Sequence, residues 1–187
     1  AVWETVGSDT AMPKGSKISI CVGASDDIFV SFRDKSEDNG CVYHFDGTDW
    51  AGGVVVPQIG NGYLPIVFVS GTPYMAYYNK TQYQNQLAKY EEGGSWTRVG
   101  ILAGPPMDIY ADGAKIYVLS LDWRSSYRGL VTCFDTANGN NNTDVGPYFS
   151  EDQADWPSVV VEGGIPYVSY TEGGKTYVKC FNGSAWE

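Results

Sequence analysis

Asp122-Trp123-Arg124 sets a carboxylate, an indole and a guanidinium on consecutive residues, with Tyr127 close behind. An indole covers the apolar face of a sugar ring, while the two charged groups accept from and donate to its hydroxyls. Trp156 ends a second polar stretch of this kind, Asp152-Gln-Ala-Asp155-Trp156, and either indole reads equally as packing over a sheet edge to cover the core. Asp34, Asn79, Asp122 and Glu172 each follow a short run of strand formers. They read either as a ring of oxygen acceptors for sugar hydroxyls or a cation, or as short polar side chains that cap turns. The capping reading is favoured, because such residues bond neighbouring backbone readily.

Other chemistries find less support. Asp34, Ser36 and Asp38 offer oxygens at alternating positions, as calcium loops do, but Gly40 comes one place late and no bidentate Glu follows. An acidic exposed loop is the plainer reading, so Ca2+ is the single cofactor considered and none is expected. The one histidine, His44, lies between Tyr43 and Phe45, and there is no Gly-x-Ser-x-Gly elbow. No catalytic residue is assigned. Two carboxylates alone can serve a glycosidase, so a glycoside-active enzyme stays as the third reading.

The charge balance is 12 basic against 22 acidic residues, a net of −10. This disfavours a nucleic-acid backbone or an anionic lipid surface as partner. No apolar run approaches the length of a membrane helix. Sequons at Asn79, Asn141 and Asn182 are glycosylation candidates and, with the Ala-Val-Trp start, suggest a secreted chain. Cys21, Cys41, Cys133 and Cys180 include no C-x-x-C spacing, which leaves buried thiols and disulfide pairing both open.

The elements that must carry these residues repeat. Trp3, Trp50, Trp96 and Trp186 stand 47, 46 and 90 apart, the last being two periods of 45. A Val-Gly pair follows in Val6-Gly7, Val99-Gly100 and Val145-Gly146. Each unit then holds an apolar run, a second run such as Ile28-Phe-Val-Ser-Phe32 or Ile116-Tyr-Val-Leu-Ser120, and a third such as Val131-Thr-Cys-Phe134. Turn signals including Ser70-Gly71 and Gly163-Gly164 separate them, and no helical periodicity is sustained. The pattern predicts an all-β chain, a β-propeller of four blades with four antiparallel strands each. The repeats run over approximately 3–49, 50–95, 96–141 and 142–187 of one domain. The N-terminal strand around Trp3 is expected to close the ring in the last blade. A Trp-Glu pair at both ends leaves one outer-strand start too many, which also admits a longer array or a two-chain ring of eight blades.

Gly71-Thr-Pro-Tyr-Met-Ala-Tyr77, Gly164-Ile-Pro-Tyr-Val-Ser-Tyr170 and Phe181-Asn-Gly-Ser-Ala-Trp186 resemble β-propeller repeats of many secreted and surface proteins. The resemblance covers nearly the whole chain and implies architecture rather than activity. Arg33-Asp34 and Asp122-Trp123-Arg124 also resemble the Arg, carboxylate and aromatic set of fucose-binding propeller lectins, although the second and fourth blades lack the Arg. The expectation is a non-enzymatic extracellular binding module for a glycan or an extracellular protein, most plausibly carbohydrate. Its ligand residues would come from Asp34, Asn79, Asp122, Trp123, Arg124, Tyr127, Trp156 and Glu172. The alternative is a structural or adhesive unit of a larger assembly, such as a homo-oligomer.

Overall fold

Short β-branched and aromatic runs between Gly-rich turns form hairpins, and four sets of hairpins make up the protein. The computed structural model describes residues 6–7, 12–23, 27–59, 62–91 and 94–187. The first sheet holds β1 (Gly15–Val22), β2 (Ile28–Asp34), β3 (Gly40–Phe45) and β4 (Trp50–Val56). The second holds β5 (Ile66–Val69), β6 (Thr72–Asn79), β7 (Gln84–Glu91) and β8 (Ser95–Leu102). The third holds β9 (Pro106–Asp112), β10 (Lys115–Asp122), β11 (Arg128–Asp135) and β12 (Asn141–Asp144). The fourth holds β13 (Asp155–Glu162), β14 (Ile165–Glu172) and β15 (Lys175–Cys180). Every strand pairs antiparallel with its sequence neighbour within its sheet.

Local chemistry fixes the register. Gly163 and Gly164 both take positive φ, and Glu162 pairs with Ile165 across them, which is a two-residue turn whose twist suits a hairpin. Along β13 the side chains alternate strictly. Pro157, Val159 and Val161 are buried against the third sheet, while Ser158, Val160 and Glu162 face outward.

The sheets stack face to face around three apolar layers. Phe29 and Val42 meet Met75 and Tyr77 between the first and second sheets. Leu87 and Ala76 meet Val118 and Phe134 between the second and third. Leu119 and Val131 meet Val159 and Val168 between the third and fourth. The inner strands β1, β5, β9 and β13 lie side by side in that order, as blades around a propeller axis do.

The Val-Gly element has a steric cause. A Cβ on Gly100 would stand 2.2 Å from the Phe134 ring, and one on Gly146 would stand 2.3 Å from Phe181. An aromatic ring at the end of one blade's third strand thus rests on the backbone of the preceding blade's outer strand. The tryptophans secure the same seam. Trp50 Nε1 donates to Val6 O and Trp186 Nε1 donates to Pro147 O, each at 2.9 Å.

Closure of the ring by a strand around Trp3 falls outside the described residues. The fourth sheet has three strands, and Trp186–Glu187 begins a fourth at the edge of β15. Cys180 N donates to Glu187 O at 2.8 Å and Glu187 N donates back to Cys180 O at 3.0 Å. The reason is aromatic pairing. Trp186 rests on Phe181 with ring centroids 5.3 Å apart, the arrangement of Phe45 with Trp50 and of Tyr90 with Trp96. Trp3 lies outside the described residues. Val6 and Gly7 lie against Trp50 and Phe45 of the first sheet. Among the described residues the first and fourth sheets are not stacked on each other as consecutive sheets are. The described residues of the four sheets form an open arc. All four cysteines are free thiols.

Candidate functional site

Asp122 ends β10 and caps the short 3-10 turn Trp123–Ser125. Its Oδ1 accepts from Arg124 N at 2.9 Å. Its Oδ2 accepts from Ser125 Oγ at 3.1 Å and from Tyr148 Oη at 2.5 Å. The Arg128 guanidinium lies over the Tyr148 ring, 4.4 Å from its centroid. Burial alone would raise the Asp122 carboxyl; the Tyr148, Arg124 and Ser125 donors outweigh it and hold the group below the usual carboxylate range. Asp122 therefore serves as a fixed base for the turn that presents its neighbours. Trp123 stands 55% exposed with the Arg124 guanidinium 5.2 Å from its ring centroid.

Trp123 and Arg124 line one side of a cleft of about 540 Å³ between the second and third sheets. The second sheet supplies Tyr83, Gln84 and Asn85 from the start of β7, and Ile101 from the end of β8. The third supplies Thr132, Asn142 and Asp144. Tyr83 has a positive φ, and its ring is largely in solvent. Asn85 is 8% exposed, and its buried Oδ1 has no hydrogen-bond partner. A buried acceptor without a partner is costly. Within the third sheet Thr132 Oγ1 donates to Asp144 Oδ1 at 3.0 Å, and within the second Arg98 Nη1 donates to Gln84 Oε1 at 3.0 Å. The lining thus offers two aromatic surfaces, a guanidinium, amide groups and one carboxylate.

The other residues singled out in the sequence are dispersed. Asp34 Oδ1 accepts from Ser36 N and Ser36 Oγ at 2.8 and 2.6 Å, and these bonds hold its carboxyl below the usual range. Asp38 pairs with Arg33 at 2.6 Å. Asn79 Oδ1 accepts from Gln82 N at 3.1 Å, and Glu172 accepts from Asp152 N. Each member of the acceptor column thus bonds its own turn or a neighbouring loop. Among the described residues no group of three or more His, Cys, Asp or Glu side chains is placed to hold a metal ion. Tyr127 is half exposed, with its N donating to Asp122 O at 2.9 Å. Trp156 is 79% exposed on a bulge of β13, outside the cleft that holds Trp123.

Asn141 is exposed, while Asn182 Oδ1 accepts from Ser184 N and Ala185 N at 3.0 and 2.9 Å. His44 lies 3.0 Å from Asp27 and stacks on Phe29. Sequence reasoning missed Tyr83, Asn85, Thr132 and Asp144. Their only sequence signal is that Tyr83-Gln-Asn85 and Asn142-Thr-Asp144 interrupt apolar strand patterns with side chains that bond or stack.

No known sequence family and no curated protein matches the chain. Solved structures of β-propeller-like proteins do match in shape. AofleA from Arthrobotrys oligospora aligns with a TM-score of 0.59 at 16% identity, over 91% of this chain and 55% of its own. The structure of a nidogen/laminin complex aligns at 0.54 and 14%, over 86% and 57%. An exo-beta-1,3-galactanase from Clostridium thermocellum aligns at 0.58 and 13%, over 98% and 50%. The chain spans little more than half the length of these structures. At such identities the likeness defines the fold class, a β-propeller-like arrangement of antiparallel blades, and nothing narrower.

Proposed function

We propose that the protein is a non-enzymatic extracellular binding module that takes a carbohydrate in the cleft between its second and third blades. The observation that carries this reading is the lining itself. Trp123 and Tyr83 provide apolar faces beside the Arg124 donors, the Asp144 carboxylate and the Gln84 and Asn142 amides. A sugar needs both an apolar ring face and hydroxyl partners, and a rigid cleft that supplies both is a fair match. The shape likeness to an exo-beta-1,3-galactanase is compatible with a glycan ligand. The cleft has one lining carboxylate, Asp144, where hydrolysis of a glycosidic bond ordinarily calls for a facing pair. No helix among the described residues is long and apolar enough to cross a membrane.

A glycan array probed with the wild type and with Trp123→Ala tests the reading. Hits that are lost in the variant support it. An array without hits, or hits that Trp123→Ala leaves unchanged, overturns it. Turnover of aryl glycosides that is abolished by Asp144→Asn would overturn the non-enzymatic part alone.

A further inference from the structure

The seam between the third and fourth blades holds a cleft of about 710 Å³, separate from the one that Trp123 lines. Its apolar lining is Tyr117 and Cys133 of the third sheet, Val145 just after β12, and Ile165, Pro166 and Phe181 of the fourth blade. Burial pushes the Tyr117 hydroxyl up to about 12 and raises the Cys133 thiol, so both line the cleft as neutral groups. Lys115 is the cation of the lining.

The repeat shows what occupies this space elsewhere. In the seam between the first and second blades, Phe29 pairs with His44 across β2 and β3, as Tyr117 pairs with Cys133 across β10 and β11. The His44 ring stacks on Phe29, with centroids 4.3 Å apart and planes at 18°. On either side of that stack lie two smaller clefts, of about 370 and 270 Å³, and both are lined by Phe29, His44 and Tyr90. In the second blade the same position is Lys89, paired with Tyr74 across β6 and β7, and its ammonium lies 3.0 Å from Glu91. Cys133 is smaller than either. The space that a ring divides in the first seam is thus one cleft in the third.

The charge beside the slot changes with the ring. His44 Nε2 lies 3.0 Å from Asp27, the residue before β2. Lys115 stands at the position of Asp27, one place before Ile116 as Asp27 is one place before Ile28. No carboxylate among the described residues lies within ion-pairing distance of Lys115. Asp135, opposite it on β11, turns its oxygens to Ala137 N and Asn138 Nδ2 at 3.1 and 2.6 Å. Asp144 also borders the cleft, but its carboxylate accepts from Thr132. A ring in the empty slot would therefore meet an ammonium where the imidazole meets a carboxylate, and an anionic acceptor on that ring is the complement.

We infer that the cleft between the third and fourth blades binds a small planar aromatic carboxylate, with its ring in the slot that His44 fills in the first seam and its carboxylate on Lys115. This site stands apart from the sugar cleft, and either can fail without the other.

Titration of the protein with naphthoate, followed in a carbon–proton methyl spectrum, tests this. Saturable shifts are expected at the Val145 and Ile165 methyls, and the neutral naphthamide should bind about tenfold more weakly. Lys115→Met replaces an exposed side chain. It should fold unchanged, weaken naphthoate by about tenfold and leave naphthamide as it was. Cys133→His supplies the ring that the first seam carries and should block both ligands while keeping the wild-type circular dichroism spectrum. If that variant does not fold, Ile165→Asp, at a position 44% exposed, sets a like charge in the cleft and should weaken naphthoate more than naphthamide. No saturable shift with naphthoate, shifts confined to residues outside the cleft, or equal affinity for the two ligands would overturn the inference. So would naphthoate binding that is unchanged in Lys115→Met or in a folded Cys133→His.

Discussion

Asp108 joins the third blade to the fourth, and its removal should loosen that seam in a measurable way. Its Oδ2 accepts from Ser158 Oγ at 2.6 Å and from Val159 N at 2.9 Å, and its Oδ1 accepts from Ile109 N at 2.9 Å. Asp108→Ala removes both cross-blade bonds and leaves the amide of the inner strand without its partner. Bonds to a charged acceptor contribute roughly 1.5–3 kcal/mol each, and an orphaned buried group costs about 1–3 kcal/mol. Asp108 is partly exposed, so water recovers some of this, and the expected net loss is about 2–3 kcal/mol. For a chain of this size that lowers the melting temperature by roughly 4–12 °C. Asp108→Asn keeps an oxygen in place and should lose about 1 kcal/mol. Urea unfolding gives the free energies, and hydrogen exchange of the β13–β15 amides shows whether the fourth blade opens first. A loss below about 0.5 kcal/mol for Asp108→Ala, or equal losses for Ala and Asn, would refute the latch.

Gly100→Ala drives a methyl group into Phe134 and should cost about 1–3 kcal/mol, whereas Gly53→Ala meets nothing within 4 Å and should stay within roughly 0.5 kcal/mol in the same urea assay. The depressed Asp122 carboxyl contributes stability that is present above the unfolded value, about 3.9, and is lost as pH falls through the lower folded value. Unfolding measured from neutral to acid pH should therefore show a decline starting near pH 4, and Asp122→Asn should make that decline shallower. The free thiols give a further check. Burial pushes Cys21 up to about 12 and raises Cys41 and Cys133. A disulfide-exchange reagent at mildly alkaline pH should react slowly with the native protein and count four thiols after denaturation. A count of two or none would contradict the free state.

The repeat was legible because its strongest columns are packing columns. Trp50, Trp96 and Trp186 pair with Phe45, Tyr90 and Phe181, and the Val-Gly element is small where the next aromatic ring must rest. Trp123 and Trp156 stood out as departures from that column, and both prove to be well exposed. The turn-capping side of the acceptor column was also readable, since Asp34 and Asn79 bond amides two or three residues on. Two things were hidden. The open arc depends on how far each blade turns relative to the last, which no local pattern encodes. The cleft depends on register across the seam, because Asn85 and Asp144 lie 59 positions apart in sequence and belong to different blades. The surplus Trp-Glu was visible as a conflict, and the C-terminal one, Trp186, pairs with Phe181 as Trp50 pairs with Phe45.

Sugar capture in the Trp123 cleft is the central claim, and the indole Nε1–H resonances report on it directly. Trp50 and Trp186 donate to backbone carbonyls at 2.9 Å within blade seams, whereas Trp123 lines the cleft. A two-dimensional nitrogen–proton spectrum, assigned through single tryptophan variants, can be titrated with free monosaccharides such as fucose, galactose and N-acetylglucosamine. The account predicts a saturable shift of the Trp123 indole, and of the Asn85 side-chain amide, with Trp50 and Trp186 unmoved. Saturable shifts confined to Trp156 or to the seam tryptophans, or none with any sugar, would contradict it.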